Sequence, residues 1–465
     1  MTFVDGIDMV SRYEFSLKRS NSARFLLLFV FLVALSLRVW AMNLFGSWEL
    51  GLNPNADEPS QIAAHLVSGE GFTFDFYGLR PEKPLRSYLP PLYPLLMAAC
   101  LRFSSRPAFA LEAIQAFLSA LICLFIYVVG RTLSDRRIGL LAAAQVAVYP
   151  VFVIQAVEHI PFTLNTFLLA ALMAACMWLL RRPTAFSATV VGFLLGLNGL
   201  ARPSTLGLLP GIVGWLWLNR QEAQVPWKRC GLLIALSALL TLAPWMLRNL
   251  QVQGHWVFIS TNGGYNLWIG NNPFSTGSGW DVNLARYEAY TARPLRLVPG
   301  TLRDGVGLAI PYPLPNEVVA HVDRLPEVDL DRALFTAALN FMRDHPGEWV
   351  RLLLRKIVYF WWFRLNIGSF AFQRPVWWIL AYQLQYLVVL LLSCVGLVVS
   401  LRRWCAYALI YYLLAYNTGV YMLFFVLTRY RWEIESFLLV FTALGTIALW
   451  HQVRSPRSLT HQEPI

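Results

Sequence analysis

Asp57 and Glu58 stand side by side in the stretch "NPNADEPSQIAAHLVSGEGF", Asn53 to Phe72, just beyond a long apolar run, Phe25–Met42. Adjacent carboxylates near a membrane surface suit a general base, or a group that orients a hydroxyl for attack. A plainer role is open at the same place. Asp57 reads as a helix N-cap, with Pro59 in the first turn and Ile62–Leu66 following. The two roles are compatible, because a capped carboxylate is a positioned one.

Other residues could serve the same chemistry. Arg202, in "GLARPST", falls where two short apolar runs meet; it either snorkels to an interface or contacts a lipid phosphate, which a guanidinium suits. Glu158 and His159 share a very short loop and are ordinary loop residues or part of a cavity lining. Tyr93, in "PPLYPLL", is a further lining candidate. In "GEWVRLLLRKIVYFWWFR", Arg351 and Arg355 share a helical face beside Lys356, as an interfacial helix with snorkelling bases or as a cation cluster for phosphate. Arg429 and Arg431 flank Tyr430 at the end of a late apolar run, and Arg38 sits at the end of the first. No metal is assigned: Asp57, Glu58 and Glu158 offer oxygen ligands, but their spacing is not diagnostic.

The elements that must hold these residues are membrane helices. Of 465 residues 57% are hydrophobic and only 14% charged, where a soluble domain is about one quarter charged. Mean hydropathy is +0.51, and several apolar runs approach the roughly 20 residues that cross a bilayer as a helix. Alternating strands of a membrane barrel are not seen. The net charge of +12 falls mostly in short polar breaks, as topology signals do, so no nucleic-acid partner is expected. The six cysteines lie in or beside apolar runs, without metal or disulfide spacing.

Basic residues in the breaks orient the chain. Lys18, Arg19 and Arg24 make the first run an uncleaved signal anchor with its N-terminus in the cytoplasm. Arg131, Arg136 and Arg137 place the end of Pro107–Gly130 on the same side, so the short run Leu89–Phe103 is re-entrant or interfacial. The spacing predicts about ten spans: 24–42, 107–130, 138–154, 161–180, 185–200, 203–218, 232–247, 377–401, 407–427 and 434–450. It divides the chain into a transmembrane catalytic module, 1–247, with a first exterior loop at 43–106; an exterior region, 248–347; and a C-terminal part, 348–465. In the exterior region "HWVFIST", "NGG" and "YNLWIGNN" read as a β-hairpin. Asp329–His345 reads as a helix capped by Asp and stopped by Pro346-Gly347, and Glu348–Phe363 as an interfacial helix.

Several pieces, in this order, resemble the GT-C class of polytopic glycosyltransferases, and most of all its protein O-mannosyltransferase and aminoarabinose-transferase relatives. They are the Asp57-Glu58 pair, Pro90–Leu96 ("PPLYPLL"), "GLNGLARP", "APWMLRN", "GNNP" and "RYR". The resemblance implies an all-α integral membrane bundle with interfacial helices in the first exterior loop. It also implies a polyprenyl-phosphate-linked sugar as donor, a glycan, lipid or protein hydroxyl as acceptor, and inverting transfer at the outer face of the inner or plasma membrane. Asp57 would be the catalytic acid/base with Glu58 beside it, and Arg202, Lys356, Arg429 and Arg431 would meet the donor phosphate. Pro59 departs from the residues usual after the acidic pair. The competing expectation is a lipid or lipid-linked-sugar transporter, which would place its ionisable groups near mid-membrane and show inverted repeats.

Overall fold

The computed structural model describes residues 21–46, 52–53, 57–279, 286, 313–362 and 376–454. Lys18, Arg19, most of 280–312 and the tail after 454 lie outside them. Long apolar runs satisfy their backbone internally, which in a bilayer only helices or closed barrels can do. Each expected span has its helix. These are α1 (Asn21–Phe45), α4 (Pro107–Leu133), α5 (Arg136–Val148) with α6 (Pro150–Ile154), α7 (Phe162–Arg181), α8 (Ala185–Ala201), α9 (Leu208–Leu218), α10 (Trp227–Gln253), α15 (Val376–Ser400), α16 (Trp404–Leu423) and α17 (Trp432–Arg454).

Length and hydropathy support six spans, or seven with the bent pair of 136–157, against the ten expected. The shortfall has two sources. First, Ala185–Ala201 and Pro203–Leu218 are short apolar helices. Second, Leu380–Leu423, one apolar stretch of 44 residues, is two helices broken at Leu401–Arg403. At about 1.5 Å per residue a single rod would be roughly twice the bilayer core. Instead the chain folds back: Tyr407 and Tyr411 pack on Phe441, while Tyr421 stacks on Tyr430.

Arg38 is the first correction. It is fully buried and is not an exterior cation. Pro150 has no N–H and breaks the helix of 136–157 by 53°. Arg38 donates to the carbonyls of Ala147 (2.9 Å) and Val146 (3.3 Å) beside that bend, and its Nε donates to Ser119 Oγ (2.8 Å). Ser119 Oγ in turn donates to the Phe152 carbonyl (2.8 Å). The charge meets the unspent backbone acceptors of the break.

At one end of the bundle the two long loops share one apolar core. It joins Ile62, Phe72, Phe74, Phe76 and Tyr88 of the first loop to Tyr265, Trp268, Leu330, Leu334, Ala338, Phe425 and Leu427. The helices of the two loops are α2 (Glu58–Ser68), α3 (Leu92–Phe103), α11 (Gly263–Gly270), α12 (Asn316–Val319), α13 (Glu327–Asp344) and α14 (Pro346–Trp361); α2, α11, α12 and α13 contribute to this core. Glu327 ties the loops together: its carboxylate accepts from the backbone of Arg86 (2.6 Å) and Ser87 (2.8 Å), from Gln253 (2.7 Å) and from Thr261 (2.5 Å).

The expected hairpin is a helix. Asn262 precedes α11 rather than turning a ribbon, and Tyr265, Leu267, Trp268 and Ile269 are buried. Gly264 is required here by close approach, since a Cβ would come within 1.9 Å of the Asp331 carbonyl. Among the described residues only isolated β-bridges occur, Phe74 with Leu85 and Ser278 with Val426, so the described portion of the exterior part is helical rather than α+β. Helix α13 begins at Glu327, two residues before the expected cap, and Pro346 opens α14 instead of only closing α13; proline is at home in a first helical turn.

Candidate active site

Asp57 is the N-cap of α2. Its backbone is extended and its Oδ1 accepts from the Ser60 N–H at 2.9 Å. The Ser60 side chain also hydrogen-bonds the Asp57 carboxylate. The side chain is partly buried. Burial pushes its carboxyl up to about 6, and Glu58 adds to the rise, while the Ser60 hydrogen bond and nearby His159 oppose it. A carboxylate poised near neutrality is what general-base work needs.

Glu58 opens the first turn of the same helix and accepts a hydrogen bond from the Tyr77 hydroxyl. Tyr77 reaches it from an unusual backbone: Phe76 (φ 54°) and Tyr77 (φ 60°) are both left-handed, a conformation costly for bulky residues. Packing pays for it, since Phe76 is buried against Tyr88 and Tyr265. Burial and then the Glu58 charge push the Tyr77 phenol well above its ordinary value, so it remains a donor. Sequence reasoning missed Tyr77, whose link to Glu58 depends on this turn.

His159 and Glu158 come from the loop after α6. His159 Nε2 lies 3.1 Å from Glu112 Oε1; the Glu112 side chain is fully buried in α4. Gln115, one turn along, donates to the Glu158 carbonyl (2.9 Å) and accepts from Tyr93 Oη (3.2 Å). Tyr93 is also within electrostatic reach of Asp57 and Glu158. Thus Asp57, Glu58, Tyr93, Glu158 and His159 are gathered at one place. Glu112 and Gln115 were missed, although a lone acid in an apolar run is a recognised signal.

The cations divide. Glu58 is within electrostatic reach of Tyr430, whose ring stacks on Tyr421 (4.7 Å) and packs near Phe162 (5.9 Å). Arg202 and Arg429 both lie over the Phe162 ring, at 5.7 and 5.6 Å. Arg202 is also held by Tyr421 (5.1 Å) and Tyr430 (5.3 Å), and it pairs with Glu433. Asn165 Nδ2 donates to the same Glu433 oxygen at 3.2 Å. Arg429 Nε is buried without a hydrogen-bond acceptor among the described residues.

Arg431 is the second correction. Its guanidinium is fully buried and occupied by the protein. It donates to Glu435 (2.7 Å), the Phe360 carbonyl (2.9 Å) and Tyr382 Oη (3.1 Å), and lies 3.7 Å from the Tyr386 ring centre. Those contacts make it a strut between helices. Lys356 is likewise fully buried, with Nζ donating to Asn271 Oδ1 at 3.0 Å; burial pushes its ammonium down to about 7. Asn271 belongs to "GNNP" and donates to the Leu423 carbonyl (2.7 Å). Gly270 lies against Phe424, where a Cβ would come within 2.0 Å of its carbonyl. That motif therefore anchors the segment leading to Arg429. Among the described residues no group of three or more His, Cys, Asp or Glu side chains forms a metal site.

Residues 89–245, about a third of the chain, match the family of dolichyl-phosphate-mannose-protein mannosyltransferases. No curated protein sequence matches significantly. The fold is similar to the oligosaccharyltransferase of Archaeoglobus fulgidus, with TM-score 0.56 and 14% identity, covering 94% of this chain and 52% of that one. A second structure of that protein, AglB in complex with an inhibitory peptide and a dolichol-phosphate, gives TM-score 0.55 and 13% identity over 93% and 50% of the two chains. This chain therefore spans about half the length of the solved structures it resembles. Family match and shared architecture agree: this is a multi-pass membrane protein with the GT-C fold.

Proposed function

We propose that the protein is a membrane glycosyltransferase that moves a sugar from a polyprenyl-phosphate carrier to an acceptor hydroxyl, at the exterior or periplasmic face. The observation that carries this is one assembly: a carboxyl raised to about 6 at Asp57, with two guanidinium groups over one ring at Phe162. The family match to dolichyl-phosphate-mannose-dependent enzymes supports the donor class.

In this reading Asp57 accepts the proton of the acceptor hydroxyl. The hydroxyl oxygen forms a bond to the anomeric carbon as the carbon–oxygen bond to phosphate breaks. The electron pair leaves with the phosphate oxygen, giving a lipid phosphate monoester, and the single displacement inverts the anomeric centre. Phosphate is a good leaving group, so no second carboxyl need act as general acid, unlike glycoside hydrolysis. Arg202 and Arg429 stabilise the growing phosphate charge. Glu58 is held by Tyr77 and orients the acceptor beside Asp57. The test is transfer from a panel of polyprenyl-phosphate sugars by protein reconstituted in lipid, with the anomeric configuration of the product read by NMR. A retained configuration would refute the single displacement.

A further inference from the structure

We propose that Glu433 is an internal competitor for the donor's phosphate: its carboxylate claims Arg202, yields it to a lipid phosphate, and helps to expel the more highly charged product. This rests on the glycosyl-transfer reading and adds a positioning residue to the same site.

Three observations converge. Arg202 is fixed by three aromatic rings, at 5.1, 5.3 and 5.7 Å, so its guanidinium presents a set direction. The position it addresses is held by one Glu433 oxygen, which also accepts from Asn165 at 3.2 Å. That oxygen thus marks a seat with two protein donors. Guanidinium forks bind carboxylate and phosphate in the same geometry, so the two anions compete for one place. Arg429 lies over the same Phe162 ring, and its buried Nε meets no hydrogen-bond acceptor among the described residues. A carboxylate that satisfies Arg202 alone leaves this donor unspent, whereas a phosphate has more oxygens to offer.

The arithmetic of charge gives the direction. Arg202 and Arg429 against Glu433 leave one net positive charge. A phosphodiester donor carries one negative charge and neutralises it. The product monoester carries about −1.5 to −2 at neutral pH, which leaves the group negative, and Glu433 then repels it. Arg202 is the partner placed to exchange: its side chain keeps 15% exposure while Glu433 keeps 2%, whereas both members of the Arg431–Glu435 pair are fully buried.

The experiment uses the full chain in lipid nanodiscs and two readouts: steady-state transfer, and binding of undecaprenyl phosphate followed by tryptophan fluorescence. Glu433→Gln keeps an acceptor for Arg202 and removes the charge. It is expected to tighten undecaprenyl phosphate binding about tenfold, as a change in differential affinity between ligand and competitor. It should also lower the donor KM and lower kcat through slow product release, while Glu433→Asp restores both. In an Arg202→Gln background the Glu433→Gln effect should vanish. Inorganic phosphate run in parallel separates the sources: tightening confined to the lipid assigns the seat to a lipid phosphate, and equal tightening assigns it to the phosphate group itself. The proposal is overturned if Glu433→Gln leaves binding and KM within about twofold while Arg202→Gln weakens both. Tighter binding with no sugar transfer in any variant would instead sink the glycosyl-transfer reading and leave the seat standing.

Discussion

Arg429 and Arg431 are two residues apart on one short turn, and their surroundings are opposite. Arg431 points its donors into the helix bundle, where Glu435, Phe360 and Tyr382 take them. Arg429 stays at the loop-rich end, over Phe162, with a buried Nε that meets no acceptor among the described residues. The same division runs through the acids. Glu327 accepts from four residues and locks two loops together, whereas Asp57 is served by Ser60 and its proton affinity is raised. Saturated polar groups stabilise a fold, and unsaturated ones cost stability and are retained where a ligand completes them. Saturated charges such as Arg431 and Glu327 and less saturated ones such as Arg429 and Asp57 therefore differ in what they are for, and the loop-rich end holds both kinds.

That contrast can be broken by substitution, and the largest effect is expected at Asp57. Asp57→Asn should reduce transfer by about 10²–10⁴-fold, the usual worth of a positioned base. It should also raise the melting temperature. The folded-state pKa lies above the unfolded value, so the fold favours the protonated form. That contribution is fully present below the unfolded value of 3.8 and is lost as pH rises through about 6. At pH 7.5 a neutral Asn caps α2 without that cost, and a gain of about 2–4 °C is expected in thermal melts. A loss of stability together with activity would make Asp57 a structural cap only.

Arg431→Met should show the reverse. It leaves Glu435 buried without its partner, which costs about 3–5 kcal/mol. Thermal melts in detergent should fall steeply, with the activity of the surviving folded fraction largely intact. Arg429→Gln should leave the melt unchanged and raise the donor KM about tenfold, the worth of roughly 1.4 kcal/mol. Equal loss of stability in both arginine variants would erase the distinction between them. The pH profile comes next: kcat/KM should rise tenfold per unit up to about 6 and level off above, because Asp57 must be ionised to accept a proton. A flat profile between pH 5 and 7 would remove Asp57 as the base. Tyr77→Phe, which deletes one donor to Glu58, should have the smallest effect, a few-fold fall in kcat with little change in donor KM.

Much of the fold was legible because long apolar runs have few solutions in a bilayer. The helices at 107–133, 162–181 and 432–454 follow from composition and length. Asp57 was legible as both cap and carboxylate, because a cap is a local device. The errors arose where partners are distant in sequence. The stretch 263–270 carries Tyr, Leu, Trp and Ile, and a strand or a helix fits a run so short; the core formed with α13 decides for the helix. Arg38 looked like a misplaced exterior cation because its acceptors lie 108 and 109 residues away. Arg431 was grouped with Arg429 by adjacency alone, although a turn sends them to different neighbours. Glu433, which pairs with Arg202 across 231 residues, left only the mild signal of an acid at the start of an apolar helix.

The most direct measurement is sugar transfer by the purified, lipid-reconstituted protein from polyprenyl-phosphate sugars, with Asp57→Asn beside the natural chain. The account predicts that one donor is consumed, that a free polyprenyl phosphate appears in equal amount, and that both events vanish in the variant. Asp57→Asn turning over at the natural rate would contradict it, as would movement of an intact labelled donor across the bilayer without cleavage of its sugar–phosphate bond.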